Sequence, residues 1–190
     1  RSDNKSLSTV QDALGLGAAK IDTAYTGIKA AIDVVDEIKA KLVAAREPGV
    51  DRAKIQAEIT ALQGQLVGNA ATSSFAGENW LSVDSDSVDY NSSKSMVASF
   101  TRASDGTVSV STITINTDSI KLYDAAVDVA PAGVGDVETG VGILDANYDA
   151  DTGARITNTS ITTFTVSTLD VSTLTNNAAD LSLLDNYIPG

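Results

Sequence analysis

The 190-residue chain contains no cysteine and no histidine. No disulfide, thiolate nucleophile or iron–sulfur ligation is available, nor an imidazole base or zinc ligand, so most hydrolytic triads are excluded. Aromatic residues make up 5% of the chain and Trp80 is its single tryptophan. A stacking platform for sugars or bases is not evident, and Trp80 reads as a core anchor. No stretch approaches the ~18 apolar residues that span a bilayer, and no charged segment followed by an apolar one marks a secretion signal. Basic residues number 13 against 25 acidic, a formal net charge of −12. Such a surface repels polyanions, which argues against nucleic acid or an anionic membrane as partner. The lack of cysteine suits a protein exported unfolded or assembled without stray crosslinks. The first residue is Arg1 rather than methionine, from which we expect a fragment lacking its natural ends.

At 43% apolar residues, the chain can bury a sizeable core. Splitting it after Val83 separates two compositions. Residues 1–83 hold 9 basic and 10 acidic side chains, residues 84–190 hold 4 and 15, so the halves carry −1 and −11. The first half is rich in Ala, Leu, Ile, Lys and Asp; the second holds 14 Ser and 15 Thr in alternation with Val and Ile. That shift predicts a helical domain over 1–83 and a β-rich domain over 84–190. The fold class is α+β, a long coiled-coil-like helical hairpin followed by a small β-rich domain.

Leu7, Leu14, Ile21, Ile28, Val35 and Leu42 form an unbroken apolar seam at seven-residue spacing, which predicts a coiled-coil-like packing surface. A second seam, Val10, Gly17, Ala24, Ala31, Ile38 and Ala45, has a middle of small residues that a partner helix could approach closely. The helix must stop before Pro48-Gly49. A second helix starts near Asp51 and carries Ile55, Ile59, Leu62 and Leu66 on one face. At ~1.5 Å per residue the second helix covers less than half of the first, so the seam from Leu7 to Ile28 needs another partner. A hairpin follows, with a Gly77-Glu78-Asn79 turn between the anchors Phe75 and Trp80. Strands are predicted at Ser95–Ala103, Thr107–Ile115, Ile120–Tyr123 and Ala154–Leu169, while Ala125–Val137 and Gly140–Leu144 fit no type. Val166, Leu169, Val171, Leu174, Leu181 and Leu184 predict that the last part of the chain returns to a core.

Candidate sites fail on spacing. The oxygen-rich stretch Asp145, Asn147, Asp149 and Asp151 resembles a calcium loop, but the sixth and twelfth positions are Ala150 and Ile156 instead of glycine and glutamate. An acidic hairpin turn is the simpler reading, with a weak divalent site as the alternative. Gly133-Val134-Gly135 and Gly140-Val141-Gly142 lack the lysine of a phosphate loop and the full dinucleotide fingerprint. Asp33/Asp36/Glu37 and Asp84/Asp86/Asp89 are local clusters, whereas glycosidase chemistry needs two carboxylates across a cleft. Acceptor triplets at Asn4, Asn91 and Asn158 match by chance in a Ser/Thr-rich chain. No catalytic, cofactor or metal residue is assigned. An acidic, elongated protein with an unfinished helical bundle points to assembly rather than to an enzyme.

Four blocks carry a resemblance: Leu-Ser-Thr-Val-Gln-Asp-Ala-Leu (7–14), Val-Val-Asp-Glu-Ile-Lys-Ala-Lys-Leu (34–42), Ile-Gln-Ala-Glu-Ile (55–59) and Ser-Phe-Ala-Gly-Glu-Asn-Trp-Leu (74–81). In this order they resemble bacterial flagellin of the α-proteobacterial type. The resemblance implies a central fragment lacking both terminal segments, with a returning C-terminal helix as the partner for the Leu7–Ile28 seam and residues 84–190 as the variable outer domain. It implies a structural subunit of the flagellar filament for swimming motility, present as a truncated, non-polymerising fragment. The subunit would be extracellular and exported without a cleaved signal peptide. Implied partners are other flagellin subunits, an export chaperone and the filament cap. Many flagellins carry an arginine-rich stretch where vertebrate innate receptors bind. The equivalent here, Glu37-Ile38-Lys39-Ala40-Lys41-Leu42, has Ile38 and Ala40 in place of both arginines, which implies weak receptor activation. The alternative is a cell-surface homologue acting as a polysaccharide-binding adhesin, with Tyr90, Phe100, Arg102, Lys121, Tyr123, Tyr148 and Arg155 as candidates for a surface glycan.

Overall fold

With no proline before Pro48 and apolar residues recurring every seven, the first 45 residues are free to form one long helix. In the computed structural model, which describes residues 2–103, 107–126, 141–146, 148–149 and 163–187, residues 2–45 do so. Helix α1 spans Ser2–Ala45, about 66 Å at the ordinary rise. It ends ahead of Pro48, and Gly49 turns the chain with φ +84°. Asp51 then caps α2, Arg52–Thr72, its carboxylate accepting the Lys54 N–H at 3.3 Å. Helix α2 folds back along α1.

The segment after α2 is a tight hairpin of β1 (Ser74–Phe75) and β2 (Glu78–Asn79). Phe75 pairs with Glu78, so the turn is Ala76-Gly77, one residue earlier than the Gly77-Glu78-Asn79 turn expected. Both turn residues have positive φ, +52° and +80°, the backbone that matches the twist of the flanking strands. Strand β3 (Ser82–Val83) runs parallel to β6 (Tyr123–Asp124). Between them stands the long antiparallel hairpin of β4 (Ser93–Arg102) and β5 (Val108–Asn116).

Residues 120–122 were expected in a strand and are not. A 3₁₀ turn, Thr117–Ser119, precedes them, and the N–H groups of Ile120 and Lys121 bond back to the Thr117 carbonyl. Of the expected strand Ala154–Leu169, residues 154–162 lie outside the described residues. Strand β8 (Thr163–Phe164) pairs with β7 (Tyr148–Asp149), and Val166–Thr168 is a 3₁₀ turn. Helix α3, Ala178–Tyr187, ends the described chain. One core runs through these parts. Ala31, Ile38 and Leu42 of α1, Ile59 and Leu66 of α2, and Trp80 and Leu81 share it with Leu122, Leu144, Leu169, Val171 and Leu184. The closing segment is thus seated on the helices.

Candidate functional site

The two seams of α1 have different fates. The helix buries the small one: Gly17, Ala24, Ala31, Ile38 and Ala45 are shielded, together with Val34 and Leu42. Alanine and glycine let the neighbouring elements come close. At Gly27 an added Cβ would lie 2.2 Å from Ser73 Oγ, so this turn of α1 tolerates no side chain as it stands. The large seam lies at the edge of that contact. Leu42 is buried, Ile28 and Val35 are half-buried, and Leu7, Leu14 and Ile21 are 44%, 37% and 43% exposed. On α2, Ile59 and Leu66 are buried, with Ile55 and Leu62 half-buried beside them. Of the hairpin residues, Trp80 is buried, Gly77 supplies positive φ, and Phe75 remains 37% exposed. Phe75 therefore differs from the expectation of two buried anchors: it lies beside Lys20 and Ala24 of α1 at the rim of the contact and keeps part of its ring exposed.

Polar residues that periodicity passes over hold the assembly in register. Arg52, Gln56 and Gln63 share a face of α2 with Ile59 and Leu66 and grip the backbone of the returning segment. Arg52 donates to the Ala45 and Leu174 carbonyls and to Asn176 Oδ1 at 2.8, 3.3 and 2.8 Å. Gln63 donates to the carbonyls of Val166 and Leu169 at 3.0 and 3.1 Å. Gln56 donates to the Leu169 carbonyl and accepts from the Val171 N–H. Asn79 closes α2, donating to the carbonyls of Ala70 and Ala71 while its Oδ1 accepts the N–H groups of Leu81 and Ser82. Glu78 ties the hairpin to α1 through Lys20 at 2.8 Å and also accepts from Trp80 Nε1. The Lys20 bond holds the Glu78 carboxyl below the usual carboxylate range.

Lys121, a candidate for glycan contact, is buried and committed elsewhere. Its ammonium lies 2.5 Å from Asp124 and 3.4 Å from Asp118, and 6.0 Å from the centre of the Tyr90 ring. Burial pushes Asp124 up, but Lys121 and the N–H groups of Ser85 and Ala126 outweigh it, leaving the carboxyl lowered. Asp118 is lowered chiefly by the Tyr90 hydroxyl, which donates to it at 2.7 Å. Asp145 lies on the opposite side of that balance. Its Oδ2 accepts from the Asp124 N–H, its Oδ1 is buried and has no hydrogen-bond partner among the described residues, and burial raises its pKa. Burial and the Asp145 charge push the Tyr123 hydroxyl up to about 12.

Among the described residues no group of three metal-ligating side chains converges. Of the calcium-like stretch, Asp145 is turned to Asp124, and positions 147, 150 and 151 lie outside the described residues. Gly142 has a packing reason: a Cβ there would lie 2.3 Å from the Leu122 carbonyl oxygen, so this glycine serves close backbone approach. Gly133, Gly135 and Gly140 lie outside the described residues. Asp33, Asp36 and Glu37 are exposed on α1, and Asp84, Asp86 and Asp89 are exposed in the turn after β3. The glycan candidates do not form one groove. Tyr90 lines a cleft with Lys94, whereas Tyr148 lines another with Ile28 and Ile143 and donates to the Ile143 carbonyl; Arg155 is outside the described residues. In the stretch equivalent to the receptor motif, Ile38 and Leu42 are buried and Lys41 pairs with Glu58 at 2.5 Å. No helix among the described residues is long and apolar enough to cross a membrane.

Residues 1–86 match the model of the bacterial flagellin N-terminal helical region. Flagellin A of Rhizobium meliloti strain 1021 is 58% identical over 126 residues, 65% of this chain and 31% of that protein. Flagellin D of Rhizobium meliloti is 47% identical over 167 residues, 87% of this chain and 41% of that protein. The flagellin of Brucella melitensis is 38% identical over 134 residues, 70% of this chain and 45% of that protein. The chain thus spans 31–45% of the length of these relatives. A matched helical region laid out as one long helix with a shorter one folded back on it, and identity continuing past that region into the strand-rich part, place the chain in the bacterial flagellin family.

Proposed function

We propose that this chain is part of a structural subunit of the extracellular flagellar filament, working in swimming motility. The observation that carries the proposal is the line of Leu7, Leu14 and Ile21, large apolar side chains left exposed along α1 in a chain of this family. Torque in such a polymer passes through noncovalent packing and needs no reacting group. Residues 1–83 supply the helical packing surface in this reading. The acidic, Ser/Thr-rich stretch 84–190 faces outward, with its last part seated back on the helices. Other flagellin subunits are the main partners, with an export chaperone and a filament cap along the way, and export proceeds without a cleaved signal peptide.

The 190-residue polypeptide by itself is read as non-polymerising. Covering three side chains that are already more than half shielded yields roughly 1 kcal/mol each. Association costs an estimated 4–15 kcal/mol in lost freedom alone, so this seam cannot hold copies together unaided. Light scattering of the chain at micromolar concentration is expected to give a monomer. Negative-stain electron microscopy of a polypeptide carrying this sequence within the length of its relatives is expected to show filaments, and Leu14→Asp to abolish them. Persistent monomers of that longer polypeptide, under conditions where a known flagellin polymerises, would overturn the filament reading.

A further inference from the structure

The only sulfur in the chain belongs to Met96, since there is one methionine and no cysteine. That sulfur sits at a joint. Helix α2 ends opposite Gly27, where Ser73 meets α1, and nearer the start of α1 the turn at Gly17 is covered by β4 instead. The Met96 side chain lies along that turn. Its Sδ, Cβ and Cγ stand 3.2, 3.4 and 3.5 Å from where a Cβ on Gly17 would be, so the thioether fills the notch that the glycine leaves.

The hairpin grips little else. Among its described side chains, 93–102 and 109–116, none is buried, and of these Met96 and Ile115 alone join the core cluster. Past Met96 the register shifts at Ala98. Met96 pairs with Ile113 and Phe100 with Val110, three residues apart on β5, so the bulge turns the second pair to the opposite face. Met96 is therefore the last large apolar side chain on its face of β4. The base, in contrast, is fixed: Thr117 is buried, its N–H and hydroxyl donate to the Ser92 carbonyl, and Tyr90 donates to Asp118. A hairpin anchored at its base and gripped further out by one thioether swings free when that grip is lost.

The thioether is also the group that chemistry can change. Met96 is half-buried, so α1 covers one side of it while the side chain still reaches water. Hydrogen peroxide oxidises a thioether directly: the sulfur lone pair attacks one oxygen, the S–O bond forms as the O–O bond breaks, and the remainder departs as water. The product has one more atom in a notch already at contact distance, and a strong acceptor where the group was apolar. The N–H groups of α1 at that turn are engaged within the helix, so the oxygen is solvated only by turning to water, which draws the side chain off Gly17.

We propose that Met96 is a reversible oxidation site whose sulfoxide, formed by hydrogen peroxide, releases the β4–β5 hairpin from α1. Reduction by a methionine sulfoxide reductase restores the contact. The inference does not depend on the filament reading. The lack of native cysteine permits the test: Gln11→Cys and Ser99→Cys, both at exposed positions, carry nitroxide labels, and pulsed dipolar spectroscopy reads the distance from α1 to the hairpin. Oxidation of Met96, followed by mass spectrometry, is expected at a rate within about tenfold of a free methionine peptide. Conversion is expected to turn one narrow distance distribution into a broad, longer one, restored by the reductase, with the helical circular dichroism retained. Met96→Leu is expected to stay narrow in peroxide, and Met96→Gln, polar from the start, to be broad without it. Slower conversion than this, full conversion with an unchanged distribution, loss of the helical signal, or the same broadening in Met96→Leu would each overturn the proposal.

Discussion

Replacing Gly27 by alanine inverts the usual rule for a helix interior. Alanine is favoured over glycine there by about 1 kcal/mol, and Gly15→Ala, whose Cβ meets nothing within 4 Å, is expected to gain that much. At Gly27 the new methyl would lie 2.2 Å from Ser73 Oγ and 2.6 Å from Leu81 Cδ1. Neither neighbour yields freely. The Ser73 hydroxyl donates to the Asn69 carbonyl at 2.6 Å, a bond worth about 1 kcal/mol that is lost if the side chain swings away. Leu81 is fully buried, and forcing a methyl against such a side chain costs about 1–3 kcal/mol. Set against the helix gain, the net loss is about 1–3 kcal/mol. In a protein of this size each kcal/mol moves Tm by about 2–4 °C, so Gly27→Ala is expected to melt roughly 2–12 °C lower while Gly15→Ala melts higher. Thermal unfolding followed by circular dichroism reads both. Equal gains at the two positions would refute the close approach of α1 to the hairpin.

Asn79→Ala removes four hydrogen bonds and leaves the backbone groups of residues 70, 71, 81 and 82 without that partner, a loss of about 2–4 kcal/mol. Hydrogen exchange should show the Leu81 and Ser82 amides deprotected first. Ala76 has φ +52° in a two-residue turn that favours asparagine, so Ala76→Asn is expected to stabilise by about 1 kcal/mol in urea unfolding. Asp145 has a raised pKa in the fold, so its ionised form is disfavoured there and the penalty sets in once pH rises above the ordinary aspartate range and grows up to the folded pKa. Asp145→Asn should therefore stabilise the chain at neutral pH and lose that advantage in acid, as melting curves across this range would show. The lowered Asp118, Asp124 and Glu78 act the other way: they stabilise above their ordinary pKa and lose that contribution as pH falls through the folded values, so overall acid destabilisation is expected despite Asp145.

What the sequence determined by itself is the local and periodic part. Seven-residue spacing and Pro48-Gly49 set the extent of α1, Asp51 opens α2, and Ser/Thr alternation marks β4 and β5, because these signals act within a turn or two of chain. The exclusion of imidazole and thiol chemistry needed only composition. Which seam is buried was decided by the tertiary structure: the more hydrophobic line through Leu7, Leu14 and Ile21 stays exposed, while small residues at 17, 24 and 31 are covered because close approach of backbones needs little side-chain volume. The grips of Arg52, Gln56, Gln63 and Asn79 were equally hidden, since each polar side chain is meaningful only once a distant carbonyl or N–H is brought against it. The turn at Ala76-Gly77, the non-strand at 120–122 and the face change at Ala98 followed from pairing register. Register is a property of two segments together, and neither segment specifies it alone.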